Sequence, residues 1–327
     1  MALSLGIGLT NDCNLHCAHC YRDPDDIRYL PLSAIRDASE RLPVGSVGLG
    51  TGESALHPEF LQIIAYLHDR GIRLSMASNG HSVAAIPLET LRWFNDVELS
   101  VDFATEAEQD AFRGAGNWRL VHEAIARCQK VGVTVTLLTT MMDANYRQMD
   151  ALARLARGLG VNWRFNVYQP VQTTDFLLSY AAFWEGFRRA FGEAQLVSCT
   201  EPVMRAVLGL EPVHSPCGRE SLRITPHGRV APCVYWPDSP LTLASLREGT
   251  AAVLASEAFE QARMIPETAA ACACKGGCAS RRALLGELDA HDSYCPWVRG
   301  DEISLGVTWA PERELVRARS YCTTIMC

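Results

Sequence analysis

Thirteen of the 327 residues are cysteines, and their spacing is the first place to look for chemistry. Cys13, Cys17 and Cys20 form a C-x3-C-x2-C group in the loop 11–21. Eight more follow residue 216: Cys217, Cys233, Cys272, Cys274, Cys278, Cys295, Cys322 and Cys327. Cys128 and Cys199 stand alone and read as small buried hydrophobes. An odd total in a chain too long to need staples argues against a disulfide framework, and clustered thiolates in a reducing compartment point to metal. In the first loop, three thiolates can hold a zinc ion completed by His16 or His19, with Asp23 the nearest carboxylate. They can equally hold a [4Fe–4S] cluster with one iron left open for another ligand. Spacing alone leaves both open.

Regular elements must position these groups. Apolar runs at 3–9, 46–49, 73–77, 97–101, 134–140 and 163–168 read as strands. Between them, 31–41, 58–70, 87–93, 121–131 and 146–160 read as helices; Phe60, Ile63, Ile64 and Leu67 make an apolar stripe at helical spacing. Pro58 suits a first turn, and Gly71 and Gly160 suit helix ends. Six strands alternating with helices predict an α/β fold with a parallel sheet, closed or partly closed, which collects ligands at the carboxyl ends of its strands. After residue 170 the pattern changes. Helices are expected at 176–191, 202–208 and within 243–264, with a β-hairpin from 222–225 to 229–231 about Pro226–His227–Gly228. The chain therefore divides into 1–210 and 211–327, the second part Cys-rich, short on periodicity and held by metal rather than by core.

Polar motifs fall at the predicted strand ends. The first strand runs into the cysteine loop, whose last cysteine is followed by Tyr21. The second runs into Gly50–Thr51–Gly52–Glu53–Ser54, the third into Ser78–Asn79–Gly80 and the fourth into Ser100–Val101–Asp102. An Arg113–Gly114 pair follows. Taken singly, Ser78 and Ser100 read as helix caps, and Glu53 and Asp102 as solvated strand-end charges. Taken together, residues 3–170 resemble the radical S-adenosylmethionine (radical SAM) enzymes, with Thr51 and Ser54 standing where that family has Gly and Pro in its G-G-E-P motif. The resemblance implies a partial (β/α)6 barrel and a [4Fe–4S] cluster on Cys13, Cys17 and Cys20 whose open iron chelates SAM. It also implies SAM contacts from Tyr21, Gly50, Gly52, Glu53, Ser78, Asn79 and Ser100. Reductive cleavage of SAM would then give a 5′-deoxyadenosyl radical that abstracts a substrate hydrogen atom.

The second cysteine group resembles the SPASM/Twitch extension of that family. Cys217, ten residues, Gly228, four residues and Cys233 match its opening; Cys272-Ala-Cys274-Lys-Gly-Gly-Cys278 and Cys295-Pro-Trp match its close, with the run before Cys274 contracted. The resemblance implies one or two auxiliary [4Fe–4S] clusters on Cys217, Cys233, Cys272, Cys274, Cys278 and Cys295, two if Cys322 and Cys327 join. A zinc ribbon is the competing reading. Asp102, Asp143, His57 and Tyr168, at or near strand ends, are candidate bases, and Cys322 or Cys327 a candidate hydrogen donor.

A net charge of −7, from 30 Lys+Arg against 37 Asp+Glu, argues against a general nucleic-acid binder and suits a neutral or cationic partner. No apolar run reaches the roughly 18–20 residues of a membrane span, and the first residues lack a signal peptide's basic region, so the chain reads as cytoplasmic. The first strand begins near residue 3, ahead of which there is no room for a leader-binding domain. The expectation is therefore oxidation (dehydrogenation) or epimerisation of a small natural-product intermediate such as an aminocyclitol, with an external one-electron donor such as flavodoxin or ferredoxin. Maturation of a ribosomally made peptide or protein side chain is the alternative. A non-catalytic metal scaffold or electron carrier would keep the cysteines without needing Glu53, Ser78 and Ser100.

Overall fold

The computed structural model describes residues 2–193, 201–209 and 218–305 in full, and the backbone alone of 197–199 and 323–326. Cys217, Cys322 and Cys327 lie outside the described residues. Ten strands make one sheet: β1 (Leu3–Gly8), β2 (Val44–Gly50), β3 (Arg73–Ser78), β4 (Phe94–Ser100), β5 (Thr134–Met141), β6 (Asn162–Val167), β7 (Val197–Cys199), β8 (Ser221–Ile224), β9 (Val230–Ala231) and β10 (Thr323–Met326). Their order is β7-β10-β6-β5-β4-β3-β2-β1-β8-β9, with β1 to β6 running parallel in sequence order. This is an α/β partial barrel followed by a Cys-rich region carrying a hairpin.

The pleat decides which residues meet the helices and which meet the barrel interior. On β1 to β4 the outward positions Leu5, Ile7, Val47, Leu49, Leu74, Met76, Val97 and Leu99 are buried, each burial contributing about 1.5–3 kcal/mol. The alternate positions are small or polar. Helices α1 (Leu32–Arg41), α2 (Phe60–Asp69), α3 (His81–Ala85), α4 (Leu88–Leu91), α5 (Glu106–Arg113), α6 (Asn117–Val131), α7 (Met149–Gly158) and α8 (Tyr180–Glu193) follow the strands. The stripe of α2 lies inward as its spacing predicts. α6 stops at Gly132, whose φ of 76° closes the helix without a Cβ penalty.

Several features depart from the sequence reading. The helix expected within 243–264 is three short pieces, Leu243–Glu248, Thr250–Leu254 and Glu257–Arg263, because Gly249 takes φ 89° and Ser256 starts a new turn. The helix expected at 87–93 shrinks to α4, and α5 was not anticipated, its strongly charged sequence giving a weak apolar signal. The hairpin forms, with Arg223 opposite Ala231 and Ile224 opposite Val230, but β8 also pairs in parallel with β1 and so extends the barrel sheet. The Cys-rich region also has apolar packing of its own: Ala231, Trp236, Ala258, Ala262 and Ala279 form a small cluster, and Phe259 and Tyr294 join the main core.

Candidate active site

The loop after β1 is shaped by side chains that hold its backbone. Asn11 donates to the carbonyls of Asp23 and Asp26, both at 2.7 Å, and accepts from Arg28 N–H. Arg22 donates to the carbonyls of Asn11 and Leu15. Within this frame Cys13, Cys17 and Cys20 stay half-buried and face a cavity of about 290 Å³. Cys13 Sγ accepts from Leu15 N–H at 3.4 Å and from Asn79 Nδ2 at 3.6 Å. Burial pushes the Cys13 thiol up to about 11 and raises Cys17 as well. A thiolate there needs a cation beside it, as a metal centre supplies.

The turn after β2 leans on that loop. Gly52 has φ 65° and a Cβ on it would overlap the carbonyls of Thr10 and Asp12. Thr51 also takes φ 65°, an outlier for a β-branched residue. Its Oγ1 lies 3.0 Å from the Tyr21 hydroxyl, so Thr51 keeps a glycine-like backbone while its side chain finds a partner. Buried Glu53 accepts from Ser78 Oγ at 2.6 Å, Asn79 N–H at 3.0 Å and Ser82 N–H at 2.8 Å. Glu53, Ser78 and Asn79 are thus one network that fixes the ends of β2 and β3. Tyr21, Gly50, Gly52, Ser78, Asn79 and Ser100 all border the cavity beside Glu53.

The candidate bases separate. Asp102 is buried and grips Arg113 through Nε at 2.8 Å and Nη2 at 2.7 Å while accepting from Thr140 N–H. His19 packs on Phe112 with its Nε2 3.5 Å from Asp102, and burial pushes its imidazole down to about 4. Asp143 is exposed and away from the cavity wall. His57 is buried between the Leu30 carbonyl and Glu59 N–H, also off the wall. Tyr168 does line the cavity, its hydroxyl donating to the Thr173 carbonyl at 2.8 Å and its acidity lowered by burial.

The C-terminal cysteines divide by position. Sγ atoms of Cys272, Cys274 and Cys295 lie 3.1–3.2 Å apart. Among the described residues they are the one group of potential ligands gathered within 4.8 Å. Hydrogen bonds from Cys274 and Cys272 push the Cys295 thiol down to about 6. Cys233 and Cys278 instead line the cavity that also meets Cys13, Cys17 and Cys20. Cys278 is fixed by Asp292, whose Oδ2 accepts its N–H at 2.7 Å and whose Oδ1 accepts Tyr294 N–H at 3.0 Å. Fully buried Arg281 clamps Asp292 at 2.6 Å and Glu201 at 2.8 Å. Gly277, with φ 66°, admits this carboxylate: a Cβ there would overlap Asp292.

Residues 7–156 match the family model of the radical SAM superfamily. These residues are a radical SAM domain. The chain is 26% identical over 349 residues to the mycofactocin maturase MftC of Mycobacterium tuberculosis, covering 95% of this chain and 86% of that protein. It is 23% identical to the antilisterial bacteriocin subtilosin biosynthesis protein AlbA of Bacillus subtilis, over 72% of this chain and 56% of that one. Its fold matches anSMEcpe with bound AdoMet and Cp18Cys peptide (TM-score 0.70, 17% identity, 91% of this chain and 95% of that one). It also matches Streptococcus suis SuiB bound to precursor peptide SuiA (TM-score 0.66, 14% identity, 90% and 76%).

A radical SAM enzyme uses a [4Fe–4S] cluster and SAM, and the C-terminal triad suits an auxiliary cluster. The donor sets fit: thiols with N–H partners at the barrel mouth, and converging sulfurs in the second group. No helix among the described residues is long and apolar enough to cross a membrane. Sequence reasoning missed the charged residues inside the barrel, Glu98, Arg164 and Arg223, and the Asp292–Arg281–Glu201 clamp. A signal for the first was present: charged residues at inward positions of otherwise apolar strands.

Proposed function

We propose that this radical SAM enzyme is a maturase that modifies a peptide by taking a hydrogen atom from one of its C–H bonds. The observation that carries the reading is a single cavity bordered by thiols of both cysteine groups, Cys13, Cys17 and Cys20 on one side and Cys233 and Cys278 on the other. A substrate carbon there would lie between a SAM site and an auxiliary site. That the similarity to a maturase extends over nearly the whole chain supports peptide modification over the small-molecule expectation.

When bound, the cluster and SAM supply a carbon radical able to abstract hydrogen from an unactivated C–H bond. The protein's part is to bind, orient and exclude water. Cys13, Cys17 and Cys20 would hold the cluster, with Asn79 steadying Cys13. Glu53 holds Ser78 and Asn79 at the strand ends, where SAM would lie against Gly50, Gly52, Tyr21 and Ser100. Asp102 anchors Arg113 beside Cys17 rather than facing a substrate. Cys272, Cys274 and Cys295 would hold an auxiliary cluster, and Cys233 and Cys278 would contribute to a second.

The test is anaerobic reconstitution with iron and sulfide, then SAM, dithionite and the short peptides encoded beside the gene. The expected result is 5′-deoxyadenosine formed in step with a mass change in one peptide. Turnover of an aminocyclitol with every peptide unaltered would overturn the reading.

A further inference from the structure

Two adjacent buried arginines of the Cys-rich region are partnered in opposite ways. Arg281 and Arg282 follow Cys278 in the short helix Ala279–Leu284 and are 0% and 2% exposed. Arg281 holds two carboxylates, those of Asp292 and Glu201. Arg282 touches none among the described residues. Its Nη1 and Nη2 donate to the carbonyls of Leu288 and Met264, and its Nε is buried without a partner. A guanidinium cannot shed its charge by losing a proton, and a buried charge requires an opposite one.

The loop that Arg282 leans on shows where that opposite charge would lie. Gly276, with φ 85°, sits between Cys274 and Cys278, and a Cβ on it would come within 3.3 Å of Arg282 Nη2. Burial weighs against the charged form of Arg282; the groups that favour it are Asp292, Cys278, Asp289 and Cys274, in falling order. Asp292 is already taken by Arg281, and Asp289 is exposed to water. Buried sulfur remains: Cys274 and Cys278 are 4% and 5% exposed. Such thiols are neutral when protonated and anionic when they ligate a metal.

We infer that Arg282 is the buried counter-cation of the auxiliary metal centre on Cys272, Cys274 and Cys295, and that it raises the reduction potential of that centre. Each electron received there adds one negative charge, which a fixed cation nearby stabilises; no bond at Arg282 forms or breaks. The inference rests on the auxiliary cluster and is independent of what the substrate is.

The midpoint potential is read by EPR-monitored titration of the anaerobically reconstituted holoenzyme with dithionite, on the signal that added SAM leaves unshifted. Arg282→Met should move it to lower potential, disfavouring reduction about tenfold or more, which is 59 mV for one electron. That is the size expected of a charge about 10 Å away at an effective dielectric of about 20. Arg282→Gln, which keeps donors for the two carbonyls but not the charge, should shift the midpoint as far. Arg282→Lys should keep most of the wild-type value. A second measurement separates charge from packing: Arg282→Met should lower the denaturant midpoint of the iron-loaded protein more than that of the metal-free protein. An unshifted potential in both neutral variants, or an equal loss of stability in both forms, makes Arg282 a strut for the Leu288 and Met264 carbonyls. Either result overturns the inference and leaves the auxiliary cluster in place. A C-terminal group that takes up zinc, or no metal, overturns the inference and the auxiliary cluster together and spares the peptide reading.

Discussion

The two cysteine groups solve opposite problems. Cys13, Cys17 and Cys20 come from eight consecutive residues, remain half-buried and open onto a cavity. Cys272, Cys274 and Cys295 come from two segments 21 residues apart, converge to 3.1–3.2 Å, and two of the three are sealed from solvent. The first group is organised by its own loop, through Asn11 and Arg22. Beside the second, Cys278 and the chain leading to Cys295 are held from outside by a buried ionic clamp reaching back to Glu201. An open site must expose a coordination position to a co-substrate. A closed one can accept electrons without admitting a ligand. Exposure, more than ligand identity, separates the two.

The contrast can be broken most severely at Cys17. Cys17→Ser should lower 5′-deoxyadenosine formation on the order of a thousandfold or more, as when one member of a concerted unit is lost, while iron on the C-terminal group persists. Loss of all iron in that variant would show the groups to be interdependent. Asp292→Asn weakens the clamp of the closed group; breaking a buried ion pair costs about 3–5 kcal/mol, read by denaturant unfolding, and an unchanged midpoint would deny the clamp its role.

Asp96, on β4 outside both groups, provides a control for general stability. Burial, with Glu98 beside it, pushes its carboxyl up to about 7. The folded state then holds its proton more tightly than the unfolded chain, so this residue costs stability as pH rises from about 4 through 7. Asp96→Asn should leave the melting temperature unchanged near pH 4 and raise stability on the order of 2 kcal/mol at pH 8. A gain at pH 4 as large as at pH 8 would sink that assignment. The smallest effect belongs to the open site. Thr51→Gly relieves about 1–2 kcal/mol of left-handed strain and loses one hydrogen bond of about 1 kcal/mol to Tyr21. Stability should change by less than about 1 kcal/mol, measured by thermal melting.

The open group was legible in the sequence because its ligands are neighbours and its supports lie at strand ends that alternation marks. Gly50, Glu53, Ser78 and Ser100 are singled out that way, and all border the cavity. The closed group was visible as thiols that match the closing half of a SPASM/Twitch pattern, without their grouping. Which of them converge depends on how segments around 272 and 295 pack, and no local pattern encodes that. The same holds for β10, which pairs antiparallel with β6 across more than 150 residues. Asp102 shows the limit of strand-end reasoning: the position was right for a base, but Arg113, eleven residues later, takes its carboxylate. Gly6 carried a signal that was readable only with Arg223 beside it, since a Cβ there would collide with that side chain.

The pairing of Ser4–Ile7 with Ser221–Ile224 has a consequence for dissection of the molecule. A chain cut near residue 210 would strip one flank from the barrel's founding strand, leaving its amide groups as a sticky template for other chains. It would also remove the arginine that fills the space over Gly6. Anyone transplanting the cysteine-rich part onto another barrel, or shortening this one, should therefore treat β8 as property of the barrel and move the seam beyond it.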